Sequence, residues 1–214
     1  MAKASSTARR IDDRRKQIIN LIKEHGALSK NDIFKMTKYS ISTVISTVDD
    51  LSQDGLIEPC GSNPAAVGRP ALFYSLNPGY GYAIGVDINS NSINTAILNF
   101  KRETVRTLHK RIPAEVGSLQ EIINLVPGMI DELPASFETA PHIICIGVAA
   151  PGLIDIETGS VVYYSRFSNE RNIPVAPSLS SRYSCPVYID KSLNCLATAY
   201  KEQESGRPLK DMIL

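Results

Sequence analysis

Hydroxyl side chains are concentrated on one face of a predicted helix over residues 40–54. Apolar residues recur there at helical spacing, and they predict a buried stripe made of Ile41, Val44, Ile45, Val48 and Leu51. The opposite face carries short polar side chains, namely Ser42, Thr43, Ser46, Thr47 and Asp50. Hydroxyl groups both donate and accept hydrogen bonds, so they can contact the base edges and phosphate oxygens of a nucleic acid. Because short hydroxyls discriminate poorly between bases, groove shape should contribute to such recognition.

A shorter helix and a tight turn precede this segment and would position it. Ser29 followed by Asp32 resembles a capping box and predicts a helix over residues 30–36. Ser40 can cap the second helix, and Gly55 stands where a left-handed C-terminal residue is favoured. Two short helices joined by a tight turn indicate a helix-turn-helix.

Two strand-like segments, residues 56–58 and 71–76, predict a hairpin wing after the second helix. Arg69 lies near the tip of the Gly- and Pro-rich loop between them. A guanidinium on a slim loop suits the minor groove, where negative potential is concentrated. The sequence therefore predicts a winged helix-turn-helix DNA-binding domain over residues 14–76. Its predicted DNA-contacting residues are Lys38, Ser40, Ser42, Thr43, Ser46, Thr47 and Arg69.

Charge is unevenly distributed along the 214 residues, although the formal net charge is only +1. Residues 1–76 carry 11 Lys and Arg against 8 Asp and Glu, whereas residues 77–214 carry 12 against 14. Six basic residues fall within the first sixteen positions, and a disordered basic N-terminus is expected over residues 1–13. This segment is either a solvated tail or an arm that contacts DNA.

The four cysteines are scattered without metal-ligand spacing, so no metal or cofactor site is predicted. Cys145 and Cys195 lie in apolar runs and are expected to be buried. The sequence has no signal peptide and no apolar run of about 18 residues, the length that spans a bilayer. These features favour a cytoplasmic, nucleoid-associated protein without a membrane partner.

A different pattern begins after a predicted hinge at residues 77–81. Three strands bounded by turn residues are followed by alternating helices and strands, which is typical of an α/β domain. Ser118 and Glu121 predict the start of a helix that Pro127 should kink or end. Residues 210–214 have the pattern of an opening strand with nothing after it, so residues 82–214 are interpreted as an incomplete α/β lobe.

The order of six motifs resembles the ROK family of repressors and sugar kinases. The motifs are a winged helix, a GRP wing, a GVDI strand, a GVAAPG turn, an ETG turn and a PVYID strand before a helix. The resemblance spans about residues 14–214 and points to regulators of xylose, N-acetylglucosamine and glucose metabolism. It implies an actin/hexokinase-like (ribonuclease H-like) lobe. The family's second lobe, with its zinc site, would lie beyond Leu214, so the chain is interpreted as a natural truncation or a fragment.

The resemblance also implies six sugar-binding positions: Asp87, Pro151, Gly152, Asn172, Asp190 and Asn194. Kinase members follow the strand-end Asp with a Gly-Gly-Thr loop that cradles phosphate. Here Asp87 precedes Ile-Asn-Ser, which favours a turn role for it, and Asn172 could equally be a loop cap. Lys191 and Ser192 replace the family's sugar-gripping Asn and general-base Asp. The sequence therefore predicts that the chain is not an enzyme.

The resulting hypothesis is a DNA-binding transcriptional regulator, a repressor of carbohydrate metabolism. Its expected partners are a double-stranded DNA operator, a sugar or sugar-derivative effector and, at full length, a second copy of itself. One alternative is a DNA-binding or interaction module on a degenerate lobe that senses no ligand. A ROK sugar kinase is the less favoured alternative, because it would need Asp87 to hold a metal and a base that the sequence does not show.

Overall fold

The computed structural model describes residues 6–63 and 71–203, and the chain divides between Tyr80 and Gly81 into two compact units. Within those residues, the first unit contains α1 (Ser6–His25), β1 (Leu28–Ser29), α2 (Lys30–Met36), α3 (Ile41–Gln53), β2 (Ile57–Asn63) and β3 (Ala71–Leu76). The strands form an antiparallel sheet in the order β1-β3-β2. A 3-10 turn, Pro78–Tyr80, follows β3. This arrangement is a winged helix-turn-helix.

Apolar side chains from all three helices meet in the core of the first unit. Six of them have 0% exposure: Ile18, Ile22, Ile33, Val44, Val48 and Leu51. Burying one side chain of this size is worth about 1.5–3 kcal/mol relative to leaving it exposed. The core therefore fixes α3 against α1 and α2 and determines which face of α3 remains in solvent.

The first helix is longer than the sequence predicted. α1 begins at Ser6, so residues 6–13 are helical, and the expectation of a disordered N-terminus over 1–13 is wrong for them. The prediction was based on the polar composition of this segment and did not consider the spacing of its charged residues. Asp12 precedes Lys16 by four positions, an orientation that stabilises a helix on its solvent-facing side.

The second unit is built around a five-stranded sheet in the order β11-β7-β4-β5-β6. Its strands are β4 (Tyr82–Ile88), β5 (Ser92–Leu98), β6 (Thr104–Arg111), β7 (Ile143–Ala150) and β11 (Val187–Lys191). β4, β5 and β6 are antiparallel neighbours, whereas β7 and β11 run parallel to β4. A separate sheet contains β8 (Leu153–Asp155), β9 (Ser160–Tyr163) and β10 (Ile173–Pro174). The helices of this unit are α4 (Leu119–Glu132), α5 (Val175–Tyr183) and α6 (Ser192–Gln203).

One face of the five-stranded sheet packs against α4 and α5 in a single apolar cluster. Ser118 caps α4 as predicted, its hydroxyl accepting the Glu121 N–H. The helix does not end at Pro127 but continues to Glu132. A proline inside a helix costs about 3 kcal/mol, and burial of Met129 and Ile130 in the following turn offsets that cost.

Three further expectations concern the cysteines, the last strand and membrane spans. Cys145 and Cys195 are only half-buried, whereas Cys185 is buried. The strand expected at 210–214 lies outside the described residues. Across residues 6–63 and 71–203, no helix is long and apolar enough to cross a membrane.

Candidate nucleic-acid interface and lobe cavity

A capping box begins α2 and fixes its orientation. The Ser29 hydroxyl accepts the Asp32 N–H at 3.2 Å, and the Asp32 carboxylate accepts the Ser29 N–H at 3.1 Å. The same carboxylate accepts the Ser29 O–H at 2.6 Å. The hydrogen bonds from Ser29 are the main reason that the pKa of Asp32 lies below its usual value. The predicted capping box is thus confirmed.

The turn after α2 presents the first residues of α3 to solvent. Ser40 is the N-cap of α3, and its hydroxyl accepts the Thr43 N–H at 3.2 Å. After α3, Gly55 adopts the left-handed conformation with φ of +77°, which glycine reaches without the steric penalty of a Cβ. Both ends of the predicted second helix are therefore confirmed.

Two predictions about the faces of α3 are wrong. Thr47, predicted to contact DNA, is only 8% exposed, and its hydroxyl donates to the Thr43 carbonyl oxygen at 2.8 Å. A threonine can occupy the core side of a helix when its hydroxyl bonds back to residue i−4 in this way. Ile41 and Ile45, predicted to be buried, are 46% and 41% exposed. The buried stripe is centred on Val44, Val48 and Leu51, and these two isoleucines lie on its flank.

The remaining predicted contact residues lie in or next to the exposed N-terminal half of α3. Lys38, Ser40, Ser42 and Ser46 are exposed, and Thr43 is half-buried. The Ser40 hydroxyl lies 2.9 Å from that of Ser42 and 2.8 Å from that of Thr43. The Ser46 hydroxyl donates to the Thr43 carbonyl oxygen at 3.1 Å, which leaves its lone pairs available as acceptors. Arg69 lies outside the described residues.

Two ion pairs hold basic residues near α3 against its acidic side chains. Lys30 contacts Asp49, and Arg15 contacts Asp54, each at 2.5 Å. The carboxylates are about half exposed, so each pair is worth less than about 0.5 kcal/mol. Their effect on a DNA surface is more important than their effect on stability. They neutralise acidic groups of α3 that would otherwise repel phosphates.

The second unit contains a cavity of about 960 Å³ on the sheet face away from α4. Asp87 of β4 and Asp190 of β11 both pair in register with Ala149 of β7, so the carboxyl ends of three parallel strands meet there. Both carboxylates line the cavity, together with Asn94, His109 and Cys195. Ligands of open α/β sheets commonly bind beyond this edge. Of the six predicted ligand positions, the structure brings only Asp87 and Asp190 into the cavity wall.

The carboxylate of Asp87 is already engaged by neighbouring amides. Its Oδ2 accepts from Asn89 Nδ2 at 2.7 Å and from Asn94 Nδ2 at 3.2 Å. His109 Nδ1 lies 2.7 Å from Asn94 Oδ1, so Nδ1 carries the proton, because an amide oxygen only accepts. Sequence reasoning missed Asn94 and His109, whose position beside Asp87 depends on cross-strand register.

The loop after Asp87 is a tight hairpin closed by its own backbone. The Asn89 N–H donates to the Ser92 carbonyl oxygen at 2.8 Å, and Ser90 accepts from the Tyr164 hydroxyl at 3.1 Å. A phosphate cradle needs several backbone N–H groups directed at the anion, usually with glycines that allow close approach. In this loop the Asn89 N–H is already used within the hairpin, and the loop has no glycine.

Asp190 is engaged at the start of α6. Its Oδ1 accepts the Lys191 N–H at 2.7 Å and the Asn194 amide at 2.9 Å. The Ser192 hydroxyl is buried and has no hydrogen-bond partner among the described residues. Burial, followed by the nearby charges of Asp190 and Asp87, raises the pKa of Cys195 above its usual value. A raised pKa keeps this thiol protonated, and therefore a poor nucleophile, at neutral pH.

The other predicted ligand positions surround β9. Gly152 has φ of +96°, and a Cβ there would lie 2.2 Å from the Tyr163 carbonyl oxygen, so the position requires glycine. Pro151 precedes it and is half-buried. Asn172 also has positive φ, +53°, and its N–H donates to the Val162 carbonyl oxygen at 3.3 Å. Gly152 and Asn172 shape the loops beside β9, which fits the loop role that was the alternative for Asn172.

Two family models match the chain. The model described as winged helix-turn-helix DNA-binding matches residues 11–58, and the ROK family model matches residues 83–214. The chain belongs to the ROK family. Its second unit has the family's actin/hexokinase-like fold.

Curated relatives of this ROK chain are named as repressors and regulators. It is 26% identical to the xylose repressor of Bacillus subtilis (strain 168) over 89% of the chain and 48% of the relative. It is 21% identical to the DNA-binding transcriptional dual regulator NagC of Escherichia coli (strain K12) over 92% of the chain and 48% of the relative. The chain thus spans about half the length of these relatives.

Solved structures show the same fold. A ROK family transcriptional regulator, a homologue of the E. coli MLC protein, superimposes with a TM-score of 0.69 at 18% identity, covering 88% of this chain and 48% of that one. An inorganic polyphosphate/ATP-glucomannokinase from Arthrobacter sp. strain KM superimposes with a TM-score of 0.51 at 21% identity, covering 61% of this chain and 51% of that one. The same fold is therefore found in a transcriptional regulator and in a kinase, and the fold alone does not assign a function.

Proposed function

We propose that this chain is the DNA-binding part of a transcriptional repressor of carbohydrate metabolism. The observation that carries the proposal is the exposed N-terminal half of α3. The Ser40 cap and a buried apolar stripe on the opposite side hold this half of the helix in place. Recognition helices contact base edges with their N-terminal residues. The name of one relative, a xylose repressor, supports repression and the link to a sugar, and the name of another, a DNA-binding transcriptional dual regulator, supports transcriptional control.

In this proposal Ser42 and Ser46 contact base edges or phosphates in the major groove, and Lys38 contacts the phosphate backbone. Ser40 and Thr43 are assigned mainly to the helix cap, because their hydroxyls already bond to each other and to the α3 backbone. Arg69 remains a proposed minor-groove contact on the basis of sequence alone.

The test uses the full chain and a random pool of duplex DNA. Repeated selection should enrich one motif, and the affinity for that motif should fall steeply as salt increases, because phosphate contacts release counterions. Ser46→Asp places a negative charge on the proposed DNA face and should abolish selective binding. Ser181→Asp, at an exposed position on α5 in the second unit, is the matched control and should bind normally. A folded chain that enriches no motif would refute the proposal.

We also propose that the second unit binds a sugar or sugar derivative without phosphorylating it, and that the full-length protein is a dimer. The engaged carboxylate of Asp87, the tight loop after it and the Lys191–Ser192 pair all oppose phosphoryl transfer. A panel of pentoses, hexoses and amino sugars should contain a ligand that raises the melting temperature, since a ligand of the native state stabilises it. No sugar in the panel should cause ATP consumption.

If no sugar shifts the melting temperature while DNA binding is intact, the sugar-sensing part of the proposal is wrong. The chain would then act as a DNA-binding module that senses no ligand. Steady ATP consumption with one sugar would instead establish kinase activity and would contradict the roles given to Asn89 and Ser192.

A further inference from the structure

Two exposed isoleucines occupy the part of α3 that faces solvent beside the serines. Ile41 and Ile45 are 46% and 41% exposed, and residues four apart on a helix are neighbours on its surface. A single exposed apolar side chain needs no explanation. A pair of β-branched side chains beside Ser42 and Ser46, on the helix expected to enter the major groove, indicates a contact surface.

The composition of α3 limits which bases this surface can recognise. Residues 41–52 contain no Arg, Lys, Asn or Gln, and these are the side chains that read guanine or adenine by paired hydrogen bonds. The apolar group that bases present in the major groove is the C5 methyl group of thymine. Isoleucine side chains at this position therefore match thymine better than any other base.

We propose that Ile41 and Ile45 recognise thymine methyl groups in the major groove, and this inference depends on the DNA-binding function proposed above. Four residues of helix rise span about 6 Å, and successive bases on one strand are about 3.4 Å apart along the duplex axis. The two side chains therefore reach thymines about two steps apart. The preferred site has thymines at these two positions, and Ser42 and Ser46 contact the adjacent edges or phosphates.

The experiment removes single methyl groups from the DNA and matching side-chain atoms from the protein. The motif selected from the random pool is synthesised with each thymine replaced in turn by deoxyuridine, which lacks only the C5 methyl. The full chain should lose about fourfold in affinity at each of two positions, the value of one buried methyl-sized group. Elsewhere in the motif the replacement should have little effect.

Ile41→Ala and Ile45→Ala should each abolish the deoxyuridine effect at one of the two positions and leave it at the other. Both variants should fold, because alanine is a better helix former than isoleucine at an exposed site. Val105→Ala is the matched control. Val105 is 47% exposed in the second unit, and its substitution should leave both effects unchanged.

The outcomes separate this inference from the proposed function. Selective binding that is indifferent to deoxyuridine, or a deoxyuridine effect that persists in both alanine variants, would overturn the inference and leave DNA binding intact. Alanine variants that change only self-association would also overturn the inference, since the isoleucines would then form a protein interface. Absence of any enriched motif would refute the proposed function itself.

Discussion

Replacing Asp32 by asparagine tests whether the capping box holds the helix-turn-helix together. The Asp32 carboxylate accepts two hydrogen bonds from Ser29, one from its N–H and one from its O–H. Asparagine keeps an acceptor oxygen but removes the charge. Hydrogen bonds to charged groups contribute about 1.5–3 kcal/mol, against about 0.5–1.5 kcal/mol for neutral pairs. We therefore expect Asp32→Asn to lower the free energy of unfolding of the first unit by about 1 kcal/mol at pH 7.

The loss of stability caused by Asp32→Asn should become smaller as the pH falls. Hydrogen bonds from Ser29 lower the pKa of Asp32 below its ordinary value of 3.8. A carboxyl whose pKa is lower in the folded state stabilises that state above the unfolded pKa, and this contribution is lost as the pH falls through the folded pKa. The asparagine variant has no group to titrate at this position. The difference in the free energy of unfolding between wild type and Asp32→Asn should therefore be largest at pH 5 to 7. It should decrease progressively below the ordinary pKa of Asp, about 4.

Urea unfolding followed by far-UV circular dichroism measures this difference at pH 7, 5 and 3. Hydrogen exchange of α2 and α3 amides at pH 7 assigns the loss to the first unit. Asp49→Asn is the matched control. Its carboxylate is 56% exposed and pairs with Lys30, so its removal should cost less than about 0.5 kcal/mol. An equal loss in the control, or a difference that stays constant down to pH 3, would refute the role given to the capping box.

Three further expectations concern the DNA face and the loop after β7. Lys38→Ala should weaken binding to all duplexes alike and lower the slope of log affinity against log salt by about one, and an unchanged slope would remove Lys38 from the contacts. Ser46→Ala should change the preference between duplexes in competition assays, whereas Thr47→Val should keep preference and affinity within about twofold, because the Thr47 hydroxyl points into the helix. Gly152→Ala should destabilise the second unit by about 2–4 kcal/mol through positive φ and backbone overlap. Gly147→Ala, whose Cβ would meet nothing within 4 Å, is its control in thermal unfolding and should cost less than about 1 kcal/mol.

Local chemistry made the elements of this protein predictable. Ser29 with Asp32, Ser40 and Gly55 are residues whose side chains or backbone freedom act within a few positions of themselves, so their roles follow from spacing. The same holds for Ser118 at the start of α4. The order of helices, hairpin and α/β lobe followed from such signals, and the resemblance to the ROK family supplied the topology that local signals do not contain.

The orientation of individual side chains was harder to predict. The prediction assigned the isoleucines of α3 to its buried face and the threonines to its exposed face. In the structure Thr47 is buried, whereas Ile41 and Ile45 are exposed. A hydroxyl that bonds to its own helix can be buried at low cost, and sequence alone does not show that bond. The hydrogen bonds that link Asp87, Asn94 and His109 could not be predicted either. They depend on the register of three neighbouring strands.

Under the proposed function, a regulatory ligand would bind at one edge of the five-stranded sheet in the second unit. Parallel strand ends align Asp87 with Asp190 on either side of Ala149, at the edge where ligands of open α/β sheets commonly bind. The amides of Asn89 and Asn94 both donate to Oδ2 of Asp87 at this edge. Such a site can regulate only if its ligand binds two states of the protein with different affinity. A sugar that raises the melting temperature but leaves DNA affinity unchanged would therefore be bound without being an effector. One that changes DNA affinity by some factor must itself bind tighter or weaker by that factor when DNA is present.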